Sequence, residues 1–194
     1  NKPFNPRAQD QSPLAYNRAA LYSGKALSFD GVNDSVSTSL ALTSDEVSIS
    51  FYLNWDDVGT QNIGFICEGS ANDKMMIHTG AGGAGVNGLQ IALNVTNYSV
   101  PQIISEGWNH YLITSNRTNL NIYKNGVLFD SRTTDAGAVG ITALTLGIRP
   151  IGSAYVLDGK LSNFKVFNTA LTAAQIADLY NNPEKIVPTG VDNT

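Results

Sequence analysis

Three oxygen-bearing side chains fall within five residues near the start of the chain: Asp30, Asn33 and Asp34, in the stretch Ala26-Leu27-Ser28-Phe29-Asp30-Gly31-Val32-Asn33-Asp34-Ser35-Val36. Calcium prefers several oxygen ligands, so two carboxylates and an amide crowded into one turn, with backbone carbonyls beside them, make a candidate site for a structural Ca2+. The same residue types have a plainer use. Asp and Asn side chains bond to backbone amides two residues on and so shape tight turns.

Other chemistry finds less support. Retaining glycosidases need two carboxyl groups on the same side of one sugar, which acids two residues apart on a strand would supply. The glutamates are Glu46, Glu68, Glu106 and Glu184, and none has such a neighbour on a strand. Asp56 and Asp57 are adjacent, so on a strand they would point to opposite faces. His78 and His110 lie in strand-like segments without a nucleophile beside them and are expected as hydrogen-bonded sheet histidines. Gly80-Ala81-Gly82-Gly83-Ala84-Gly85 matches G-x-G-x-x-G, but the β-like segment Leu89–Val95 follows where a phosphate would need a helix N-terminus. It is expected to be a hairpin loop. The chain is therefore expected not to be an enzyme, with a glycan-active enzyme as the third-ranked reading.

Sugar recognition joins an aromatic ring over the C–H face of the sugar to amides and carboxylates that fix its hydroxyls. Tyr98, in a loop Thr96-Asn97-Tyr98-Ser99, and Tyr155, in Gly152-Ser153-Ala154-Tyr155, are the aromatics expected to be exposed. Asp56, Asp57, Asn72, Asp73, Asn87, Asn97 and Arg149 are the polar candidates on loops.

The elements that must position these residues are mostly strands. Phe29 and Val36 flank the polar corner as strand, turn, strand. Val47, Ile49, Phe51 and Leu53 alternate with Ser48, Ser50, Tyr52 and Asn54, a half-buried strand ending at Trp55. Further strands are predicted over Asn62–Glu68, Lys74–Thr79, Leu89–Val95, Trp108–Ser115, Leu120–Lys124, Val127–Ser131, Leu144–Ile148 and Leu161–Phe167. Asn125-Gly126 supplies the positive φ angles of a type I′ hairpin turn. One helix stands out: Thr172-Ala173-Ala174-Gln175 is a capping box, with Leu171 and Ile176 as a hydrophobic staple, and Asn181-Asn182-Pro183 ends the helix near Tyr180. Two antiparallel sheets packed face to face follow, an all-β sandwich with one short C-terminal helix. Residues 1–24, with Pro3, Pro6 and Pro13, read as an extended N-terminal arm; residues 25–181 form the domain and 182–194 a tail or linker. The segments 1–24 and 184–194 are expected to grip neighbouring chains if the protein is part of an assembly.

The chain has 194 residues, a net charge of -4, 14% charged and 42% hydrophobic residues. No basic cluster offers a footprint for nucleic acid, and no apolar run approaches the ~18 residues of a membrane-inserted helix. Cys67 is the single cysteine, so an internal disulfide is excluded and a buried apolar role is expected. With Asn rather than Met at position 1, the chain is expected to be a piece of a longer or processed product.

The order of these pieces resembles the laminin-G-like members of the concanavalin A-like lectin/glucanase superfamily. The residues that carry the resemblance are Ala26–Val36, Val47–Trp55, Gly107-Trp108-Asn109-His110-Tyr111, Leu120–Leu128 and Leu157–Ile176. The resemblance implies a jelly-roll, a calcium near the first corner, core positions for Trp55 and Trp108, and a loop rim or concave face that binds glycans. It also implies an acid from the closing strand, where Ser162-Asn163 stand instead. The leading expectation is a non-catalytic carbohydrate-binding or adhesion module of an extracellular, cell-surface or virion protein. The alternative is a structural domain decorating a fibre, filament or phage particle.

Overall fold

The computed structural model describes residues 26–60, 62–70, 74–80, 84–94, 96–133, 139–150 and 155–191. Twelve strands and one helix occur among them, in the order β1 (Leu27–Asp30), β2 (Val36–Thr38), β3 (Val47–Trp55), β4 (Phe65–Gly69), β5 (Met75–Thr79), β6 (Leu89–Leu93), β7 (Thr96–Val100), β8 (Asn109–Ser115), β9 (Asn119–Lys124), β10 (Val127–Thr133), β11 (Leu144–Leu146), β12 (Asp158–Phe167) and α1 (Ala173–Asn181). They form two six-stranded sheets, β1-β12-β3-β8-β9-β10 and β2-β11-β4-β5-β6-β7. All strand pairs are antiparallel. The corner at Asp30–Ser35 therefore does more than reverse the chain: it carries it from one sheet to the other.

Period-two alternation builds the core. Ile49, Phe51 and Leu53 of β3 and Tyr111 and Ile113 of β8 face Ile77, Ile91 and Val100 of the opposite sheet, all fully buried. The Asn125-Gly126 turn forms as its residue types predict, with φ of 51° and 77°. The Asn125 side chain fixes it by accepting from the His110 amide at 2.9 Å.

Helix α1 covers the outer face of the first sheet. Its capping box is complete: Gln175 N–H donates to Thr172 Oγ1 and Thr172 N–H donates to Gln175 Oε1 at 2.9 Å. Such a cap is worth about 1 kcal/mol. Leu171, Ile176 and Leu179 pack on Leu112, Tyr123 and Phe167. The segment after the helix, expected as a tail or linker, folds back on it over residues 182–191. Asp178 accepts from Lys185 Nζ at 2.8 Å and from the Thr189 amide at 3.0 Å, and Val191 joins the helix cluster. With the middle of this face covered, the outer face of the second sheet and the rim are among the surfaces left open to a ligand.

Two expectations need correction. Tyr98 is not on an exposed loop: Thr96–Val100 is strand β7, joined to β6 by a tight turn at Asn94, whose φ is 45°. Tyr98 is 7% exposed and belongs to the inter-sheet core with Val100, so its ring is not available to a ligand. Trp108 is only partly buried, whereas Trp55 is buried as expected. Asn72, Asp73 and the arm 1–24 lie outside the described residues.

Candidate functional site

An open pocket of about 450 Å3 lies at the rim, lined by Asp30, Gly31, Asp57, Asn62, Tyr155 and Asp158 among others. Three predicted residues, Asp30, Asp57 and Tyr155, thus come together. Asp158 and Asn62 join them without having been anticipated.

An acid does stand on the closing strand, at Asp158 rather than at Ser162-Asn163. Antiparallel pairing of β1 with β12 sets Asp30 directly across from Asp158. Ser162 instead sits buried opposite Tyr52 in the register with β3, and Asn163 takes a positive φ of 50° at a bulge in β12. Gly31 makes room for Asp158. Its φ is 73°, and a Cβ there would lie 3.1 Å from the Asp158 Cβ.

The corner residues behave mainly as turn formers. Asp34 Oδ2 accepts from the Asp30 amide at 3.1 Å, and Asp30 Oδ1 accepts from the Val32 amide at 2.9 Å. Asn33 is exposed. Among the described residues no three His, Cys, Asp or Glu side chains converge closely enough to hold one metal ion. Asp30 and Asp34 thus shape the backbone of the corner, and the denser negative field lies on the other side of Asp30. There, burial and then the charges of Asp57, Asp56 and Asp30 raise the Asp158 carboxyl above its usual range.

The loop that carries Asp57 is held from a distance. Asn87, with φ 58°, accepts the Gly59 amide on its Oδ1 at 2.7 Å, and its carbonyl accepts from the Ile104 amide. Asn87, expected as a ligand contact, holds this loop in place. Thr60 Oγ1 donates to the Asp57 carbonyl at 2.8 Å and accepts from the Asn62 amide at 3.1 Å, tying both pocket residues to one turn. Asp56 is exposed at the end of β3, and its amide donates to the Asp158 carbonyl at 3.0 Å.

Tyr155 is the shared wall between this pocket and the outer face of the second sheet. The residue is 38% exposed, and its ring stacks on Phe65 at 5.9 Å. Phe65 stacks in turn on His78 at 4.9 Å, and the Arg149 guanidinium lies 5.6 Å from the Phe65 centroid. Arg149 pairs with the buried Glu68 at 3.7 Å, and its amide donates to the Tyr155 carbonyl at 3.0 Å. This row holds Tyr155 from behind and leaves one face of the ring outward. His78 Nδ1–H donates to the Thr79 carbonyl, 3.1 Å away, and burial lowers its pKa. Asn97 is exposed on β7 across from Ala92, in the same cross-strand row as Met76 and Glu68 and three strands along from Glu68. Glu68 carried no sequence signal beyond its type; it points away from the core on the central strand β4, between Thr145 and Met76, and is buried there with Arg149 against it.

Two six-stranded antiparallel sheets packed face to face, with the chain crossing between them at corners, define a jelly-roll β-sandwich. A laminin-G-type family model, described as the concanavalin A-like lectin/glucanases superfamily, matches residues 30–177, and the chain belongs to that superfamily. No curated protein sequence matches it. Solved structures share the fold at low identity. A native heptameric SAP-like pentraxin from Limulus polyphemus aligns at TM-score 0.62 and 18% identity, over 80% of this chain and 81% of that one. The ligand-binding domain of botulinum neurotoxin serotype D, in complex with N-acetylneuraminic acid, aligns at TM-score 0.61 and 19% identity, over 80% of this chain and 41% of that one. A candidate carbohydrate-binding protein from Bacteroides ovatus aligns at TM-score 0.60 and 18% identity, over 77% and 45%. The chain thus spans less than half of the neurotoxin and Bacteroides chains. At these identities the likeness is one of fold.

Proposed function

We propose that the protein is a non-catalytic carbohydrate-binding module of an extracellular, cell-surface or virion protein, and that it takes a glycan in the pocket walled by Tyr155. The observation that carries this reading is one outward tyrosine ring beside Asp57, Asn62 and Asp158, the pairing of flat apolar surface with oxygen and amide groups that a sugar requires. Fold neighbours solved with N-acetylneuraminic acid, or assigned to carbohydrate binding, support the class of ligand. A single shallow pocket of this kind binds weakly, so useful affinity would come from several copies engaging one surface. Tyr155→Ala is expected to weaken binding on a glycan array by about tenfold or more while the melting temperature stays within a degree or two. Undiminished binding by that variant would remove the site.

Calcium is part of the proposal at the Asp30–Asp158 face of this pocket. It would take at most two carboxylates there, those of Asp30 and Asp158, and carbonyl and water oxygens would complete the shell. What supports it is the setting of Asp158: burial first and then the charges of Asp57, Asp56 and Asp30 hold its carboxyl above the usual range, and a cation would relieve the part that is repulsion. Added Ca2+ is expected to raise the melting temperature, and Asp158→Asn to abolish the rise. A melt indifferent to calcium and chelator would sink the cation.

A structural role in an assembly is favoured by one observation, the run of exposed apolar residues Val127, Leu128 and Phe129 on β10.

A further inference from the structure

The rim pocket is walled by acids and by no base. Its described lining brings the carboxyl groups of Asp30, Asp57 and Asp158, the amide of Asn62 and the ring of Tyr155, and no Lys, Arg or His is among them. The cations nearby are placed elsewhere. Arg149 lies against Phe65, behind the Tyr155 ring, and pairs with Glu68. Lys160 stands in register between Ser28 and Asn54 on the first sheet, outside the pocket lining.

Asp57 is the acid with nothing to hold. Asp30 Oδ1 already accepts from the Val32 amide, and Asp30 and Asp158 make the face proposed for calcium. Asp57 is half-buried after β3, and only its carbonyl is used, by Thr60. Among the described residues its carboxylate enters no hydrogen bond and no ion pair. A charge drawn partly out of water without a counter-charge is costly, and a cation from outside would relieve it.

Resting on the reading of this pocket as a glycan site, we infer that its ligand is an amino sugar with a free ammonium group, a de-N-acetylated glycan whose ring lies on Tyr155 and whose ammonium is held by Asp57. The tyrosine ring covers the C–H face of the sugar. The substituents at the edge of the sugar then meet Asp57, Asn62 and Asp158. An ammonium has three donors and no acceptor, so it suits a wall of acceptors, and its bond to a carboxylate is roughly twice as strong as one between neutral groups. N-acetylation would remove that charge, and an acidic sugar would add another negative one. The selection holds with or without the metal, because a Ca2+ at Asp30 and Asp158 would leave Asp57 to the ammonium.

Equilibrium titrations of the full chain in chelator test this, with a glucosamine tetramer and the same tetramer N-acetylated. The glucosamine form should bind about tenfold tighter or more. Asp57→Asn should cut that ratio to about twofold or less, and should melt as the wild type does, since the carboxylate makes no bond in the fold. Tyr155→Ala should weaken both forms. Equal affinity for the two forms overturns the amino-sugar assignment, yet leaves the glycan pocket standing where Tyr155→Ala weakens both. A ratio that survives Asp57→Asn overturns it too, as the general pull of a chain of net charge -4. Binding of neither form overturns it as well. Failure of the pocket itself has a different signature, binding of both forms that Tyr155→Ala leaves undiminished, and that result overturns both readings.

Discussion

Gly80→Ala is expected to lower stability by about 3 kcal/mol or more, from a left-handed backbone costing about 1–2 kcal/mol and an overpacked contact costing as much again. Gly80 has φ 83°, and a Cβ there would overlap the carbonyl of Asn62. Neither can yield easily. The Gly80 amide donates to the Gly88 carbonyl at 3.2 Å, and the neighbouring Thr79 exchanges bonds with Gly64, its amide donating to the Gly64 carbonyl and its Oγ1 accepting from the Gly64 amide. Gly59→Ala is the control, because Gly59 has φ 87° but open space around it. It should cost only about 1 kcal/mol. Denaturant melts of the two variants would separate the backbone penalty from the clash, and equal losses would remove the clash from the argument. Because Asn62 lines the pocket, Gly80→Ala should also weaken glycan binding, whereas Gly59→Ala would act there only through the Asn87 tie.

The second large effect is acid sensitivity centred on His110. Burial beneath helix α1 lowers its pKa to about 3, with the charge of Lys165 adding to the effect. Its Nε2 lies 2.9 Å from Ser50 Oγ, and its ring packs on Tyr52 at 4.8 Å. A folded-state pKa below the unfolded value of about 6.5 means that the unfolded chain takes up the proton first. The contribution of the neutral ring is therefore fully present above about pH 6.5 and is lost progressively as pH falls toward 3, by on the order of 4 kcal/mol in all. About 2 kcal/mol of that loss should appear between pH 6.5 and 5, before most carboxylates titrate. His110→Gln should flatten that slope while lowering stability at neutral pH. Wild-type stability that is level across that interval would show that the imidazole is reached by water.

How much of this was legible in the sequence depends on how far apart the deciding residues are. The capping box at Thr172–Gln175 and the Asn125-Gly126 turn are local chemistry, and both form as their residue types require. The strand at Val47–Trp55 is visible because its inward face is wholly apolar and its outward face mostly polar. Tyr98 was misread because Thr96, Asn97 and Ser99 are polar, so only Tyr98 and Val100 mark the inward face of a five-residue strand, too few to show a period. Asp158 could not be assigned from spacing at all, because what sets it across from Asp30 is the pairing of the first strand with the last. Asn87 looks like any exposed loop amide until Gly59 is seen beside it. The chemistry of the pocket is thus spread over four separate segments, of which Asp30, Asp57 and Tyr155 were legible by residue type and Asn62 and Asp158 were not.

That first-to-last pairing has a consequence for synthesis. β1 is complete at Asp30, but its partner across the ladder is Asp158, roughly 130 residues later. At the usual pace of about 5–20 residues per second, the ribosome needs on the order of 6–26 seconds to deliver it. Throughout that interval Phe29 has no sheet to lie in, β3 lacks one neighbour, and Asp30 has nothing opposite it. The nascent chain can fold its hairpins but cannot close its sandwich. Sites of translational pausing before the codons of β12 would therefore lengthen the period in which the half-built sheet is open to chaperones or to other nascent copies.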